Sequence, residues 1–155
     1  MREIFKKAAK HKGTSFVEIY QNCNIFNDGT FSAIYERSVR EDRILRLKHG
    51  EVLVFGKDKN KGIRMIGLKP VIVDLDKDFN EKDLLMHDQY CEDSTLANLL
   101  SGFDYPEFPV PMGVLRQVEN TPYEEKIEKQ IKRQIEKKGV GDLADLLRGN
   151  QVWEN

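Results

Sequence analysis

The sequence predicts an α/β fold class in the form of an α+β fragment, from three observations. Residues 2–12 place apolar side chains on one helical face and basic ones on the other, and Gly13 is a natural end for such a helix. Residues 14–20 follow at once as a run of aromatic and β-branched residues typical of a strand. Beyond residue 40 the apolar residues come in short runs separated by polar turns. The chain is therefore expected to open with the last helix and strand of a doubly wound domain and to continue as a small antiparallel β-unit.

The expected antiparallel unit is preceded by a polar loop over residues 21–29, dense in Asn, Asp and Gly, and by a short helix near residues 30–37. The polar residues 57–62 are the expected hairpin connection within the unit. Its predicted strands cover residues 43–48, 52–55, 62–68 and 71–74.

The last third of the chain predicts a carboxyl-terminal helical arm. A short helix over 94–100, with Asp93 or Ser94 as its N-cap and Gly102 after its end, is followed by a proline-rich segment, 105–111, that is expected to be extended. A helix over 122–138 is expected to begin with Thr121 as its N-cap and to end at Gly139, and a last turn of helix is expected over 142–147. The long helix carries one narrow apolar stripe, which indicates docking onto another part of the protein or a second subunit: Tyr123, Ile127, Ile131 and Ile135.

Composition excludes several function classes. The 155 residues contain 25 Lys and Arg against 26 Asp and Glu, so no basic excess points to nucleic acid or to an anionic membrane. The longest apolar runs are far too short to span a bilayer, and the amino terminus lacks the apolar segment of a secretory signal. A cytoplasmic protein is the expectation.

The two cysteines, Cys23 and Cys91, are candidates for metal chemistry, but neither lies in a Cys-x-x-Cys pair. The chain therefore cannot complete a closed zinc or iron–sulfur site alone. Cys23 follows the carboxyl end of the predicted strand, where α/β folds bind their ligands. Two interpretations stay open from the residues: a half-buried free thiol, which is the commoner case, or a ligand whose partners lie elsewhere. Cys91 has no patterned neighbour and is expected to pack.

The histidines give a weaker indication. His87, beside Asp88, could be a general base or a ligand, but a structural hydrogen-bonding role is more common and is the favoured interpretation. His11 and His49 are expected at the surface. The sequence contains no Gly-x-Ser-x-Gly, P-loop or Gly-x-Gly-x-x-Gly motif, so no catalytic and no cofactor-binding residue is predicted.

Residues 11–29 closely resemble a known family, through the specific run Asn22-Cys23-Asn24-Ile25-Phe26-Asn27-Asp28-Gly29. The resemblance is to the beta subunit of 2-oxoacid:ferredoxin oxidoreductases, which depend on thiamine diphosphate, and the 2-oxoglutarate-type branch is nearest. It continues through residues 39–43, 83–88, 108–116 and 141–143, so it covers essentially the whole chain. The similar region is the carboxyl-terminal part of that subunit. Residues 1–29 then correspond to the end of the thiamine-diphosphate-binding domain with its cluster-ligand loop, and residues 30–155 to the carboxyl-terminal extension.

The resemblance implies oxidative decarboxylation of a 2-oxoacid to an acyl-CoA, with electrons passing through a [4Fe-4S] cluster to ferredoxin. Cys23 matches the fourth cluster ligand. The other three ligands and the motif that binds Mg²⁺ and thiamine diphosphate lie upstream in the family, so this chain alone is expected to bind no cofactor and to be inactive. We expect four neighbours to shape the surroundings of the cluster by hydrogen bonding: Asn22, Asn24, Asn27 and Asp28.

The expected partners are the upstream thiamine-binding part of the beta subunit, the alpha subunit and ferredoxin, with no nucleic acid and no membrane. A second hypothesis is a free-standing, non-catalytic protein-interaction module derived from the same family. A third and weaker one is a nucleic-acid binder that uses its Lys-rich faces, against which the balanced charge argues.

Overall fold

The computed structural model describes residues 1–77 and 81–149 of the chain. These residues form two compact units. Among the described residues, the larger unit consists of residues 1–9 and 16–118, and the smaller one of residues 10–15 and 119–149. The sequence predicts a boundary between residues 29 and 30, where two domains of the resembling family meet. The two compact units do not test that boundary, and it stays a prediction.

Helices and strands alternate irregularly, which confirms the mixed α/β class. The helices of the described residues are α1 (Arg2–Lys10), α2 (Ser32–Tyr35), α3 (Arg40–Arg43), α4 (Thr95–Ser101), α5 (Tyr123–Lys138) and α6 (Leu143–Arg148), with a 3₁₀ turn at Glu81–Asp83. The strands are β1 (Ile44–Arg46), β2 (Val54–Phe55), β3 (Lys61–Ile66), β4 (Lys69–Asp74) and β5 (Val110–Met112). No helix in this part of the chain is both long and apolar enough to cross a membrane.

The antiparallel unit is confirmed for three of its four predicted strands, which pair in the order β2-β3-β4. In the longer ladder, Ile63 lies opposite Ile72 and Ile66 opposite Lys69, so a tight turn with Gly67 at φ +60° joins the strands. The predicted polar connection before β3 also contains a residue at positive φ, Lys59, and Gly56 just before this connection has positive φ as well. Two local turns therefore set the register of this sheet.

The first predicted strand, residues 43–48, does not belong to that unit. The part of this segment that forms a strand, β1, pairs in parallel with β5, with Ile44 opposite Val110 and Arg46 opposite Met112. The sequence predicted an extended path for residues 105–111 but no strand, and this correction has a physical cause. A parallel partner that lies far along the chain leaves no local signal, because no tight turn joins the two strands.

The core lies between the two sheets and α4. Leu45 of β1, Ile63 of β3 and Leu100 of α4 are fully buried. Other members of the same cluster are Leu47, Leu53, Phe55 and Phe103. A second, smaller cluster joins α2 to the parallel pair through Ile34, Ile44 and Val110, with Tyr20 and Phe31 packed against it.

The amino-terminal helix is confirmed, although it ends at Lys10 rather than at residue 12. The strand predicted over residues 14–20 is wrong, because this segment has no regular secondary structure and pairs with no described strand. Phe16, one of the aromatic residues on which the strand prediction rests, is 89% exposed and gains almost no apolar packing. Strand propensity reflects packing against neighbouring strands, and it decides nothing where a segment has no such neighbour.

The later helices are confirmed with small shifts at their starts. Asp93, not Ser94, caps α4, since its Oδ1 accepts a hydrogen bond from the backbone N of Thr95 at 2.7 Å. Thr121 does not cap α5, because Pro122 has an extended ψ of 155° and is itself the residue before the helix. Asp142 caps α6 and accepts hydrogen bonds from the backbone N of Ala144 and Asp145.

Candidate functional site: the Cys23 loop

The predicted ligand lies in a polar loop of residues 22–30, here called the Cys23 loop. Two stacked aromatic rings bracket it, since Tyr20 and Phe31 lie 4.8 Å apart between ring centroids at an interplanar angle of 11°. Both rings pack against the small cluster of Ile34, Ile44 and Val110. The base of the loop is therefore anchored to the core even though residues 14–20 form no strand.

The loop closes tightly around its cysteine. The backbone N of Asn27 donates to the carbonyl oxygen of Cys23 at 2.8 Å, and the two residues form an isolated antiparallel bridge. The side-chain oxygen of Asn27 in turn accepts from the hydroxyl of Thr30. Cys23 and Asn27 thus face each other across a turn whose outer residues are Ile25 and Phe26.

Asn22 holds both arms of the loop through its side chain. Its Nδ2 donates to Oδ1 of Asn24 at 2.9 Å and to Oδ1 of Asp28 at 3.0 Å. Its Oδ1 accepts from the backbone N of Gly29 at 2.8 Å. Three of the four predicted neighbours, Asn22, Asn24 and Asp28, are therefore joined in one network.

The surroundings of the Cys23 thiol favour its ionised form. Hydrogen bonding from the backbone of Phe26, and then from Ile25 and Asn27, lowers the pKa of Cys23 below its ordinary value, against an opposing effect of burial. The side chain is only partly buried. A lowered pKa increases the fraction of the thiol that is ionised at a given pH, and the thiolate is the form in which a cysteine binds metal.

The tip of the loop is apolar and open. Ile25 is 83% exposed and Phe26 is 89% exposed, although each is a residue type that is usually buried. Hydrogen bonding from the backbones of the same two residues lowers the pKa of the Cys23 thiol. Adjacent exposed apolar side chains of this size are typical of a surface that another element covers.

The metal-ligating side chains of the described residues could supply one ligand of a cluster, Cys23, and no more. Within residues 1–77 and 81–149, no group of three His, Cys, Asp or Glu side chains is arranged to hold a metal ion. Cys91 is also a free, partly buried thiol, and its carbonyl oxygen accepts a long hydrogen bond of 3.4 Å from Nε of Arg116. A thiol whose pKa is lowered is suited to ligate an iron–sulfur cluster, because such clusters are held by soft thiolates.

The histidines lie outside this loop. His87 is fully buried, and its Nε2 contacts the carbonyl oxygen of Val114 at 2.8 Å, which agrees with the structural role that the sequence favoured. His49 is exposed as expected, with Nδ1 3.3 Å from Oδ1 of Asp88 and its ring edge-on to Tyr90. His11 is partly buried.

Sequence reasoning missed two features of the loop. The first is the backbone hydrogen bonding that lowers the pKa of the Cys23 thiol, which residue types do not show. The second is Thr30, which ties Asn27 to the end of the loop. The spacing of three residues from Asn27 to Thr30 is a usable signal, since Asn and Thr side chains commonly bond across such short turns.

Comparison with known proteins supports the resemblance. The chain is 29% identical over 163 aligned residues to "2-oxoglutarate oxidoreductase subunit KorB" of Mycobacterium tuberculosis (strain ATCC 25618 / H37Rv), and the match covers 99% of the chain. The chain is similar to this oxidoreductase subunit over nearly its whole length. The similarity confirms the resemblance to a beta subunit of the 2-oxoglutarate type. No family model matches the chain, and no solved structure matches it significantly.

The match covers only part of the KorB subunit, and this limits what the similarity establishes. The chain spans 41% of the length of the KorB subunit. The similarity therefore supports a piece of a KorB-like subunit, and the activity of the whole relative belongs to the proposal that follows.

Proposed function

We propose that this chain is the carboxyl-terminal piece of the beta subunit of a 2-oxoacid:ferredoxin oxidoreductase, with 2-oxoglutarate as the favoured substrate. The complete enzyme would oxidatively decarboxylate the 2-oxoacid to an acyl-CoA and pass the electrons one at a time to ferredoxin. The observation that carries the proposal is the Cys23 loop, in which a thiol of lowered pKa lies within the run that matches the family. The similarity over 99% of the chain supports the same assignment.

Cys23 would supply one of the four thiolate ligands of a [4Fe-4S] cluster, and upstream residues would supply the other three. Such a cluster, when bound, provides one-electron transfer. Thiamine diphosphate and Mg²⁺ would bind to the upstream domain, outside these residues. This chain would therefore contribute to the reaction only at the step in which electrons leave through the cluster.

Three properties of the loop serve that role. Backbone N–H groups of Ile25, Phe26 and Asn27 stabilise negative charge on the sulfur. The closed turn keeps the thiolate beside them. The apolar tip of Ile25 and Phe26 is suited to shield a bound group from water, which also affects its potential.

The exposed tip also supports the predicted partners. Ile25 and Phe26 are each more than four-fifths exposed. Burial of either side chain would contribute a hydrophobic free energy of roughly 1.5–3 kcal/mol. We propose that the upstream part of the beta subunit covers them, with the alpha subunit and ferredoxin as further partners of the assembled enzyme.

A second candidate function is the non-catalytic interaction module. The observation that favours it is the apolar side of α6, where Leu143 is 68% exposed and Leu146 and Leu147 are each 78% exposed. The sequence of the DNA upstream of Met1 distinguishes the oxidoreductase from the interaction module. A reading frame with a thiamine-diphosphate motif and three cysteines supports the oxidoreductase, whereas unrelated sequence supports the module.

The direct test compares two cysteine variants in the completed beta subunit, prepared without oxygen. Cys23→Ser should lower the iron content and the visible cluster absorbance, because a hydroxyl oxygen is a poor substitute for a soft thiolate. Cys91→Ser is the matched control and should leave iron unchanged. Equal iron in wild type and Cys23→Ser would remove the ligand assignment.

A further inference from the structure

We propose that the cleft at the carboxyl ends of β1 and β5 is a binding site for a small organic anion, with Lys7 and Gln89 as its polar contacts. The ligand is a carboxylate or a phosphate monoester that carries a small apolar body. The site is formed by other residues than the Cys23 loop, and it does not depend on the proposed function.

The position of the cleft follows from the parallel strand pair. Leu47, Lys48 and His49 come directly after β1, Gly113 and Val114 come directly after β5, and all five line a cleft of about 380 Å³. Parallel strands place their carboxyl ends at one edge, and α/β sheets bind ligands in the crevice beyond that edge. The volume is in the range of small-molecule sites. Topology and size therefore both favour a ligand site.

One wall of the cleft is fixed by close backbone packing. The backbone N of Leu47 donates to the carbonyl oxygen of Met112 at 2.9 Å. Gly113, the next residue, has φ +149°, and a Cβ at this position would lie 2.8 Å from the carbonyl oxygen of Leu47. The two strand ends can approach this closely only because residue 113 is a glycine.

A second wall is held in place by Asp88. Its Oδ1 accepts from the backbone N of Tyr90 at 2.9 Å and lies 3.3 Å from Nδ1 of His49. The rings of His49 and Tyr90 meet edge-on, with 4.7 Å between their centroids. Two rings that line the cleft are therefore oriented before any ligand binds, which lowers the entropy cost of binding.

Gln89 offers the cleft a buried polar group. The residue is only 4% exposed and lines the cleft. Its carbonyl oxygen accepts from the backbone N of Gln117 at 2.6 Å, but its side-chain amide makes no hydrogen bond to any described residue. Buried amides are nearly always hydrogen-bonded, because an unsatisfied amide has lost water without replacement. The Gln89 amide is therefore suited to donate to an oxygen of a ligand in the cleft.

Charge in the cleft favours an anion at Lys7. The Nζ of Lys48 is paired with Glu51 at 3.2 Å, and Glu3, an acidic residue of the lining, is paired with Lys6 at 3.2 Å. Lys7 of α1 also lines the cleft and forms no ion pair with another residue that the structure describes. Its positive charge is thus available to an anionic oxygen.

The rest of the lining favours an organic anion over an inorganic one. Ile4, Leu47 and Val114 supply apolar surface to the cleft. A hydrated inorganic ion gains nothing from such surface, whereas an apolar body that covers it is stabilised by the hydrophobic effect. A small carboxylate or phosphate monoester with an apolar part satisfies all these groups together.

The first experiment titrates the full 155-residue chain with sodium benzoate and with phenyl phosphate, followed by amide NMR shifts. Saturable shifts should be confined to residues 47–49, 89–90 and 113–114, with the amide of Ile63 in β3 unmoved. Benzamide, the neutral analogue of benzoate, and inorganic phosphate should both bind more weakly than the organic anions. The tighter of benzoate and phenyl phosphate identifies whether the site prefers a carboxylate or a phosphate ester.

The second experiment repeats the titration with variants of the two polar contacts. Lys7→Met should raise the Kd by roughly two- to fivefold, because an exposed charge pair is screened by water and salt. Lys10→Met, the same change at the last residue of α1 and outside the lining, should leave the Kd unchanged. Gln89→Leu should raise the Kd by about tenfold, the effect of losing a hydrogen bond to a charged group. The Tm of Gln89→Leu should be no lower than that of the wild type, since the change removes a buried amide that has no partner.

Each outcome decides one part of the proposal. No saturable shift with either organic anion would overturn the site, and equal binding of benzamide would overturn its preference for an anion. Equal loss of affinity in Lys7→Met and Lys10→Met would overturn the contact by Lys7. A lower Tm in Gln89→Leu would show that the amide has a structural partner and would overturn its role in binding. The iron content of Cys23→Ser is independent of all these results, so the proposed function is tested separately.

Discussion

The Nε2 atom of His87 lies 2.8 Å from the carbonyl oxygen of Val114, and the imidazole ring is fully buried. A carbonyl oxygen only accepts, so Nε2 carries the proton and donates across to the chain that follows β5. The backbone of His87 also bonds with Gly50 and Glu51. This histidine therefore joins three stretches of chain and cannot reach a substrate, so we do not assign it a catalytic role.

His87→Ala should destabilise the chain by about 2–4 kcal/mol, because it leaves a cavity and removes the partner of the Val114 carbonyl oxygen. His87→Gln keeps a donor of similar reach and should cost clearly less. Chemical denaturation of the two variants measures the difference. Equal losses in both would show that the hydrogen bond to Val114 contributes little.

Glu41 provides a pH-dependent contribution to stability. Its Oε1 accepts from Nη2 of Arg46 at 3.0 Å and from Nε of Arg40 at 3.2 Å, and the bond to Arg46 is the main cause that lowers the pKa of Glu41. A lowered carboxyl pKa means stability that is present above the ordinary pKa and is lost as pH falls through the lowered one.

Arg46→Met should therefore raise the pKa of Glu41, as measured by NMR titration of the side-chain carboxyl. Arg40→Met is the matched control and should raise it less, since Arg40 contributes less to the shift. A larger effect from Arg40→Met would mean that the ion pair with Arg46 is not the dominant one.

The apolar stripe of α5 should matter more for association than for the stability of the chain. Tyr123 is 77% exposed, Ile131 is 53% exposed and Ile135 is 43% exposed, whereas Ile127 is partly buried. The double substitution Ile131→Ser and Ile135→Ser should change the free energy of unfolding by less than about 1 kcal/mol. Leu100→Ala, in the core, should cost about 2–5 kcal/mol and serves as the reference.

The same pair of Ser substitutions should weaken co-purification of the completed beta subunit with the alpha subunit. Burial of each Ile in an interface contributes roughly 1.5–3 kcal/mol, so the loss should be easily detected. Normal assembly of the doubly substituted protein would show that the stripe is no interface. A large loss of stability in the isolated chain would contradict the exposure of these side chains.

The isolated 155-residue chain is expected to be colourless and inactive. It carries one thiol suited to a cluster, and the group that decarboxylates the 2-oxoacid would bind upstream. Anaerobic assay of 2-oxoglutarate-dependent dye reduction by the purified chain checks this, with the completed enzyme as the positive control. Measurable turnover by the chain alone would contradict it.

Short-range patterns in the sequence determined much of this protein. The sequence by itself predicted α1, the β2-β3-β4 sheet and α5, because helical periodicity and tight turns act over a few residues. It also predicted Cys23 as a cluster ligand, through a run of residues that resembles a known family, and that role stays a prediction. The mixed fold class followed from these elements alone.

Tertiary structure decided the features that depend on partners distant in the chain. The pairing of β1 with β5 joins Ile44 to Val110, and no local pattern encodes such a contact. The segment 14–20 has strand-forming residues but pairs with no described strand, so propensity did not prevail there. The three hydrogen bonds of the Asn22 side chain likewise emerged only from the folded loop, because they depend on where Asn24, Asp28 and Gly29 lie around it.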